Sequence, residues 1–472
     1  MNEIVIIGSG LSGLVVGNLL ARCGHHVIIV EQAATPGGCM RPFCRNGMIY
    51  ETGFHFVSGL CRRTPVYRLF RQLDLLKLPW QELHELEIHI AEQTYHLPCS
   101  LVKSRRYLTQ LFPHQKNQLR AYFYKLEEIA HCPLQQTLPY WEQNAWNWLS
   151  SIITDVDLLN VLSSMSLIID LNKERLPLFS YAEIMWGILS STKRLQGGGQ
   201  TIVNHLVKAF IQAGGEVICN AAVTGIVENN HGVVGVCLAS GETIDADVVV
   251  SSLHPIATMS LLGDQSKMRG IYRRRISRLE STPGCFTVNV KIKDGAYTLP
   301  NHPIYIHKAN TVLWNDEMNN GNHLMIYTYP DTNAIDIMMP MAWNQVVSWA
   351  NTESGHRGQD YELFKQKSTD QCIRLAETVL PHLRENIQQC IVSTPLTWHD
   401  HLLMYKGSSY GTYKDCRSVE STLLGPRTPL HGLYLTGQSL AQHGIVGTAI
   451  SAFFTASVVE PKLEKTIKLF VN

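Results

Sequence analysis

The chain lacks the features that would tie it to a partner by charge, metal or membrane span. Its 40 basic and 39 acidic side chains leave a formal net charge of +1, so the electrostatic footprint of a nucleic-acid binder is missing. The basic clusters Arg62-Arg63, Arg105-Arg106 and Arg273-Arg274-Arg275 are small and scattered. Twelve cysteines form no CxxC pair and no Cys/His ligand spacing, so no metal site is expected. Cys219, Cys237 and Cys285 sit in apolar runs, where a free thiol behaves as a small buried hydrophobe. That usage suits a reducing compartment better than a disulfide framework. No internal repeat and no low-complexity segment is visible. The longest late apolar stretch, 445–459, falls short of the roughly 20 residues that span a bilayer. Met1-Asn2-Glu3 runs straight into a strand with no basic leader, so a secretory signal is not expected. The expectation is a cytoplasmic protein, with peripheral membrane contact left open and oligomeric state unassigned.

What is present begins at once. Ile4-Val5-Ile6-Ile7 is an apolar run of strand length, followed by Gly8-Ser9-Gly10-Leu11-Ser12-Gly13. An apolar-periodic stretch over 11–23 reads as a helix, and Val27-Ile28-Ile29-Val30 then ends on Glu31. Gly8 allows a tight turn, Gly10 lets backbone approach a pyrophosphate, and Gly13 lets helix pack closely on strand. The helix N-terminus offers free N–H groups and a positive dipole end to phosphates. Glu31 stands where a carboxylate can accept hydrogen bonds from ribose hydroxyls.

At 472 residues, 45% hydrophobic and 17% charged, the chain is long enough for two or three domains with large cores. Residues 62–189 read as helical and loop-rich. Gly197-Gly198-Gly199 then opens a helix through Ala213, and Gly214-Gly215 closes it, as glycine does at a helix C-terminus. Short strands follow over 216–219, 222–228 and 232–239, and an apolar strand over 244–250 runs into Ser251-Ser252-Leu253-His254-Pro255. A second excursion, 256–389, carries strand candidates at 285–292, 304–307 and 323–329 and a helix over 361–380. The chain returns through Thr394-Pro395-Leu396-Thr397. It finishes on the buried strand Gly432-Leu433-Tyr434-Leu435-Thr436-Gly437 and a helix over 445–459. The fold class implied is α/β: a Rossmann-like nucleotide domain (a ββα three-layer unit) interrupted twice by an α+β substrate domain. The boundaries expected are 1–61, 190–255 and 394–472 for the first, and 62–189 and 256–393 for the second, with a helical lid. There is one fingerprint, not two. A single site with further elements in the middle and at the end of the chain suits FAD better than NAD.

These residues carry a resemblance. The turn Gly8–Gly13 with Glu31, the segment Gly37-Gly38-Cys39-Met40-Arg41, the stretch 198–252 and the stretch 432–451 resemble the flavin amine-oxidase/phytoene-desaturase superfamily. Within it they are similar to the branch of retinol saturase and carotenoid isomerase. Tyr50-Glu51-Thr52-Gly53-Phe54-His55-Phe56-Val57-Ser58-Gly59 resembles that branch's FDxGxHxxG segment, and Leu435-Thr436-Gly437-Gln438 its LTGQ. Gln442-His443-Gly444-Ile445-Val446-Gly447 departs from the HPGGG of carotene desaturases, which counts against carotene itself as substrate.

The resemblance implies roles for particular residues. Gly8, Gly10 and Gly13, with Leu11 and Ser12, would wrap the FAD pyrophosphate, and Glu31 would bind the adenosine ribose. Gly38 and Arg41 would lie beside the pyrophosphate and ribityl chain, and Val223 would meet the adenine. Gly437 would contact the ribityl phosphate, while Gly444, Ile445 and Val446 would aim the last helix at the flavin. His55 and His443, with Tyr410 third, are the candidates for proton transfer. The expected activity is saturation or desaturation of a carbon–carbon bond in an apolar polyene or isoprenoid lipid, with NAD(P)H as a candidate electron donor. Two alternatives stand beside it: a polyene cis–trans isomerase using reduced FAD, and a non-catalytic binder of prenylated proteins on the same fold.

Overall fold

The computed structural model describes residues 2–62, 64–168, 172–308, 312–315, 321–463 and 465. Five parallel strands form one sheet in the order Glu216–Ile218, His26–Val30, Glu3–Ile7, Val248–Ser251, Leu433–Leu435. The strands are apolar because both faces of the parallel sheet are covered, one by helices and the other by the strands Val223–Glu228 and Val233–Leu238. The helix Leu11–Ala21 is buried over its whole length, between the sheet and the helices Gly198–Gln212 and Gly444–Val459. Buried Asn18 ties it across, donating through Nδ2 to the carbonyls of Leu14 and Leu206 at 2.9 Å each. Strand order reverses beside Glu3–Ile7, so a crevice opens past the carboxyl ends of Glu3–Ile7 and Val248–Ser251, where α/β sheets bind ligands.

The run over 244–250 is not one strand. Thr243–Asp245 closes an antiparallel meander with Val223–Glu228 and Val233–Leu238, and Val248–Ser251 enters the parallel sheet. The break has a cause: the Asp247 amide donates to the Glu3 carbonyl at 2.8 Å, and its carboxylate accepts from the Glu3 amide at 3.0 Å. The chain changes sheet at that residue.

A second correction concerns 62–189, which is not helical throughout. Trp80–Leu83, Glu85–Ile90 and Gln93–Pro98 are strands. The last two form a hairpin on the edge of a seven-stranded sheet, in the order Ile387–Ser393, Gly284–Ile292, Ala334–Met341, His323–Tyr329, Ile304–His307, Glu85–Ile90, Gln93–Pro98. The pairs are antiparallel except Ile304–His307 with Glu85–Ile90. The helix expected over 361–380 runs Gln359–Ala376. Thr394 is the N-cap of the helix Pro395–Leu402, in a capping box with Thr397. All twelve cysteines are free; Cys285 is buried, whereas Cys219 and Cys237 are only half-buried. No described helix is long and apolar enough to cross a membrane.

Candidate functional site

The glycine turn does three different jobs. Gly8 sits at φ +93°, its amide donating to the Val30 carbonyl at 2.8 Å. A Cβ on Gly13 would stand 2.1 Å from the Gly8 carbonyl oxygen, whereas one on Gly10 would meet no protein atom within 4 Å. The first glycine makes the turn and the last lets helix touch strand; the middle one faces open space. The helix beginning at Leu11 has no side-chain cap and no acidic residue in its first turn, so its N–H groups stay available to an anion. Glu31 is buried. Its carboxylate accepts from the Ser9 amide at 3.0 Å, from the Ser9 hydroxyl, and from the Ala33 amide at 2.9 Å. These bonds hold the acid beside the turn.

A cavity of about 280 Å³, open to solvent along part of its length, runs from this cradle. Gly8, Gly10, Leu11, Ser12, Glu31, Gly38, Arg41, Val223, Gly437, Gly444 and Ile445 line it, as do His55 and Tyr410. Gly13 serves packing, and Val446 packs against the core of the nucleotide-binding sheet. Arg41 is anchored by its Nη1 on the Thr35 carbonyl at 2.7 Å. His443 is the N-cap residue of the last helix and lies in a smaller side pocket shared with Tyr410 and Lys414. The Tyr410 and His443 ring centroids are 4.6 Å apart. Burial pulls His443 down to about 4 and Lys414 down to about 7.

Sequence reading missed several lining residues. The helix Pro395–Leu402 and the chain after it give Trp398, His401, Leu402, Leu403 and Met404, and the large sheet gives Tyr327 and Met338. Apart from His401, these side chains are apolar or aromatic. His254 also lines the cavity, stacked on Tyr405 at 5.1 Å. Its Nδ1 accepts from the Ile256 amide at 3.3 Å, which leaves the proton on Nε2, an atom with no partner among the described residues. Burial, seconded by Lys414, lowers His254 to about 4.

His55 is the sequence candidate with the richest surroundings. Its ring stacks on Tyr327, centroids 4.0 Å apart and planes 6° from parallel. Nδ1 lies 2.7 Å from the Tyr329 hydroxyl, which lies 2.8 Å from Asp336 Oδ2. Asn289 Nδ2 donates to the other carboxylate oxygen. Nε2 is buried and has no hydrogen-bond partner among the described residues. Burial, aided by the Arg194 charge, pushes His55 down to about 3. Burial raises Asp336 to about 7, against the bonds from Asn289 and Tyr329 and the Arg194 charge. Glu51 is likewise raised by burial to about 7, against a bond from the Gly199 amide.

The Asp336 shift carries a sign for stability. Its folded value lies above its ordinary one, so the contribution is complete below the ordinary carboxylate range and is lost as pH rises through about 7. Asp336→Asn removes that loss. Measured by denaturant unfolding, the stability of the variant relative to wild type should move in the variant's favour between about pH 5 and about pH 8. A difference that stays level would contradict the burial argument.

A family model described as flavin containing amine oxidoreductase matches residues 11–459. All-trans-retinol 13,14-reductase of Rattus norvegicus is 21% identical, over 97% of this chain and 85% of its own. Prolycopene isomerase of Daucus carota is 23% identical, over 98% of this chain and 80% of its own. Among solved structures, an oxidoreductase from Methanosarcina mazei superposes with a TM-score of 0.70 at 15% identity, covering 97% of this chain and 100% of that one. A cofactor-binding redesign of putrescine oxidase gives a TM-score of 0.69 at 15% identity, over 98% and 99%. The likeness to the solved structures is one of fold.

Proposed function

This chain belongs to the flavin containing amine oxidoreductase family, and from that premise we propose that it uses FAD to saturate a carbon–carbon double bond, or to form one by desaturation, in an apolar polyene or isoprenoid lipid. The observation that carries the reading is the continuity of one cavity, from the phosphate cradle at Gly8–Ser12 to an apolar chamber walled by Tyr327, Met338, Trp398, Leu402 and Met404. FAD supplies hydride transfer at its N5. The chain supplies the rest. Gly8, Gly10, Leu11 and Ser12 take the pyrophosphate on backbone, with Gly13 holding the helix in reach, and Glu31 takes the ribose. Gly38 and Arg41 flank the phosphates, and Val223 meets the adenine. Gly437, with Gly444, Ile445 and Val446 at the N-terminus of the last helix, offers the positive dipole end to the flavin ring.

The division of labour follows the segments proposed for each part. Residues 1–61, 190–255 and 394–472 hold the cofactor, the last of them also sending Trp398, Leu402 and Met404 into the chamber, and 62–189 with 256–393 form the substrate domain. The apolar chamber excludes water from the reacting bond. NAD(P)H is the electron donor we propose for the saturating direction, and the lipid reaches the cavity through peripheral contact with a membrane. The names of the relatives, a retinol reductase and a prolycopene isomerase, support a polyene substrate and keep isomerisation without net redox change as the second reading.

Glu31→Gln should weaken FAD by roughly tenfold, the worth of one charge-assisted hydrogen bond, measured by titrating apoprotein with FAD. The function itself is tested on gently purified protein. Flavin absorbance should be present. Anaerobic reduction with NADH, NADPH or dithionite, followed by reoxidation with polyenes and enones, should give a product that has gained hydrogen by mass. A product of unchanged mass but altered geometry selects the isomerase. Absence of flavin sinks both and favours the prenyl-protein binder.

A further inference from the structure

We propose that the proton for the substrate carbon is stored on the Asp336 carboxyl and delivered to the cavity through Tyr329 and His55, without the imidazole ever carrying a charge. The inference rests on reading the cavity as a site of double-bond chemistry. Its basis is a chain of three side chains with a single open end. His55 Nδ1 and the Tyr329 hydroxyl are 2.7 Å apart, and that hydroxyl and Asp336 Oδ2 are 2.8 Å apart. His55 Nδ1 and Asp336 Oδ2 are 3.9 Å apart, too far for a hydrogen bond, so the tyrosine is the bridge. The one ring nitrogen left over, Nε2, is buried without a partner among the described residues, on a residue that lines the cavity.

The same heavy atoms accommodate two proton arrangements. With Asp336 ionised, Tyr329 O–H donates to the carboxylate and His55 Nδ1–H donates to the tyrosine oxygen. Nε2 is then a bare acceptor. With Asp336 protonated, the acid donates to the tyrosine oxygen, Tyr329 O–H donates to Nδ1, and the ring proton sits on Nε2. Delivery converts the second arrangement into the first. The Nε2–H bond breaks as the substrate carbon forms a C–H bond with its own electron pair. The tyrosine proton passes to Nδ1, the acid proton passes to the tyrosine oxygen, and Asp336 keeps the negative charge. No further reactant enters.

The surroundings favour this store over the imidazole. An imidazolium at His55 would face the Arg194 guanidinium in a buried site, whereas burial itself favours the neutral carboxylic acid at Asp336. The groups that act on that acid are Arg194, Glu51, Tyr50, Tyr327 and Tyr329, together with His55. Glu51 opposes ionisation of Asp336, and Arg194 assists it. Tyr329 and Asp336 are thus positioning and relay residues, and only His55 meets the cavity.

The test is nitrogen NMR on full-length flavoprotein labelled at histidine, with His55 assigned by its loss in His55→Gln. On lowering pH through the titration of the buried acid, the His55 proton should move from Nδ1 to Nε2 with no imidazolium signature. Tyr329→Phe should abolish the switch while the flavin spectrum is retained. Asp336→Asn should abolish it too and remove a protonated-carboxyl band from the infrared spectrum. Turnover in Tyr329→Phe should fall about 100-fold with KM little changed. An imidazolium in that range, a single tautomer throughout in wild type, or a switch that persists in Tyr329→Phe would each overturn the proposal. The tautomer measurement stands whether or not any polyene is turned over, so its failure and that of the functional reading are separable.

Discussion

Gly13→Ala is expected to leave the protein unable to retain flavin. The added Cβ would stand 2.1 Å from the Gly8 carbonyl oxygen and 3.4 Å from Ile6 Cγ2. Neither neighbour is a flexible chain end. The Gly8 backbone is pinned by its hydrogen bond to Val30, and Ile6 is fully buried in the central strand. Relief requires the helix to lift off the strand, and its first-turn N–H groups move with it. Overpacking of this kind costs about 1–3 kcal/mol. If that loss falls on the cofactor cradle, binding weakens about 10- to 100-fold. The measurement is flavin absorbance per protein after gel filtration, with titration of the apoprotein. Gly10→Ala separates packing from binding. No protein atom lies within 4 Å of its added Cβ, so the apoprotein should unfold at the wild-type temperature while FAD affinity falls. Wild-type affinity in Gly10→Ala would mean that no phosphate approaches that backbone.

Much of this cradle is legible in the chain because each of its parts is local. A buried parallel strand reads as an unbroken apolar run, and the turn residues and Glu31 follow within one strand–helix–strand unit. The hairpin Glu85–Ile90 with Gln93–Pro98 was harder to see. Its alternation, with Leu86, Ile88 and Ile90 buried and Glu85, Glu87 and His89 half-exposed, is a clean two-residue period, but it covers only one short segment among long helical patterns. Residues 244–250 mislead for the opposite reason: two strands in different sheets are separated by only Ala246 and Asp247, and the Asp247–Glu3 contacts mark the change.

The proton-bearing cluster is the least legible part. His55 announces itself in a glycine-flanked motif. Its partners Tyr329 and Asp336 come from two neighbouring strands of another sheet, and Arg194 from a third element. No spacing in the sequence joins them. Tyr329 and Asp336 become neighbours because antiparallel pairing of Tyr327 with Asp336 sets their side chains on one sheet, and His55 reaches that sheet only in the folded chain. His254 is hidden likewise, since a His-Pro pair after a strand reads first as a helix start.

His55→Gln carries the largest expected loss of turnover, about 10²- to 10⁴-fold, the range for removal of a general acid or base. Glutamine can fill the space and reach Tyr329, but it lacks the imidazole ring that takes a proton on one nitrogen and releases one from the other. The loss should therefore fall on kcat, with flavin content held and KM shifted only by the missing stack on Tyr327. His443 is the internal comparison. It is a candidate of the same residue type at the start of the last helix, yet it lies in the side pocket with Tyr410 and Lys414 rather than on the cavity wall, so His443→Gln should lose less. Equal losses in both variants would locate the proton chemistry elsewhere, with His254 the next group to test. The product also matters. Hydrogen addition needs a proton for every hydride, so His55→Gln should slow saturation far more than any interconversion of double-bond geometry. A variant that stops saturating but still isomerises would separate the two readings on a single side chain.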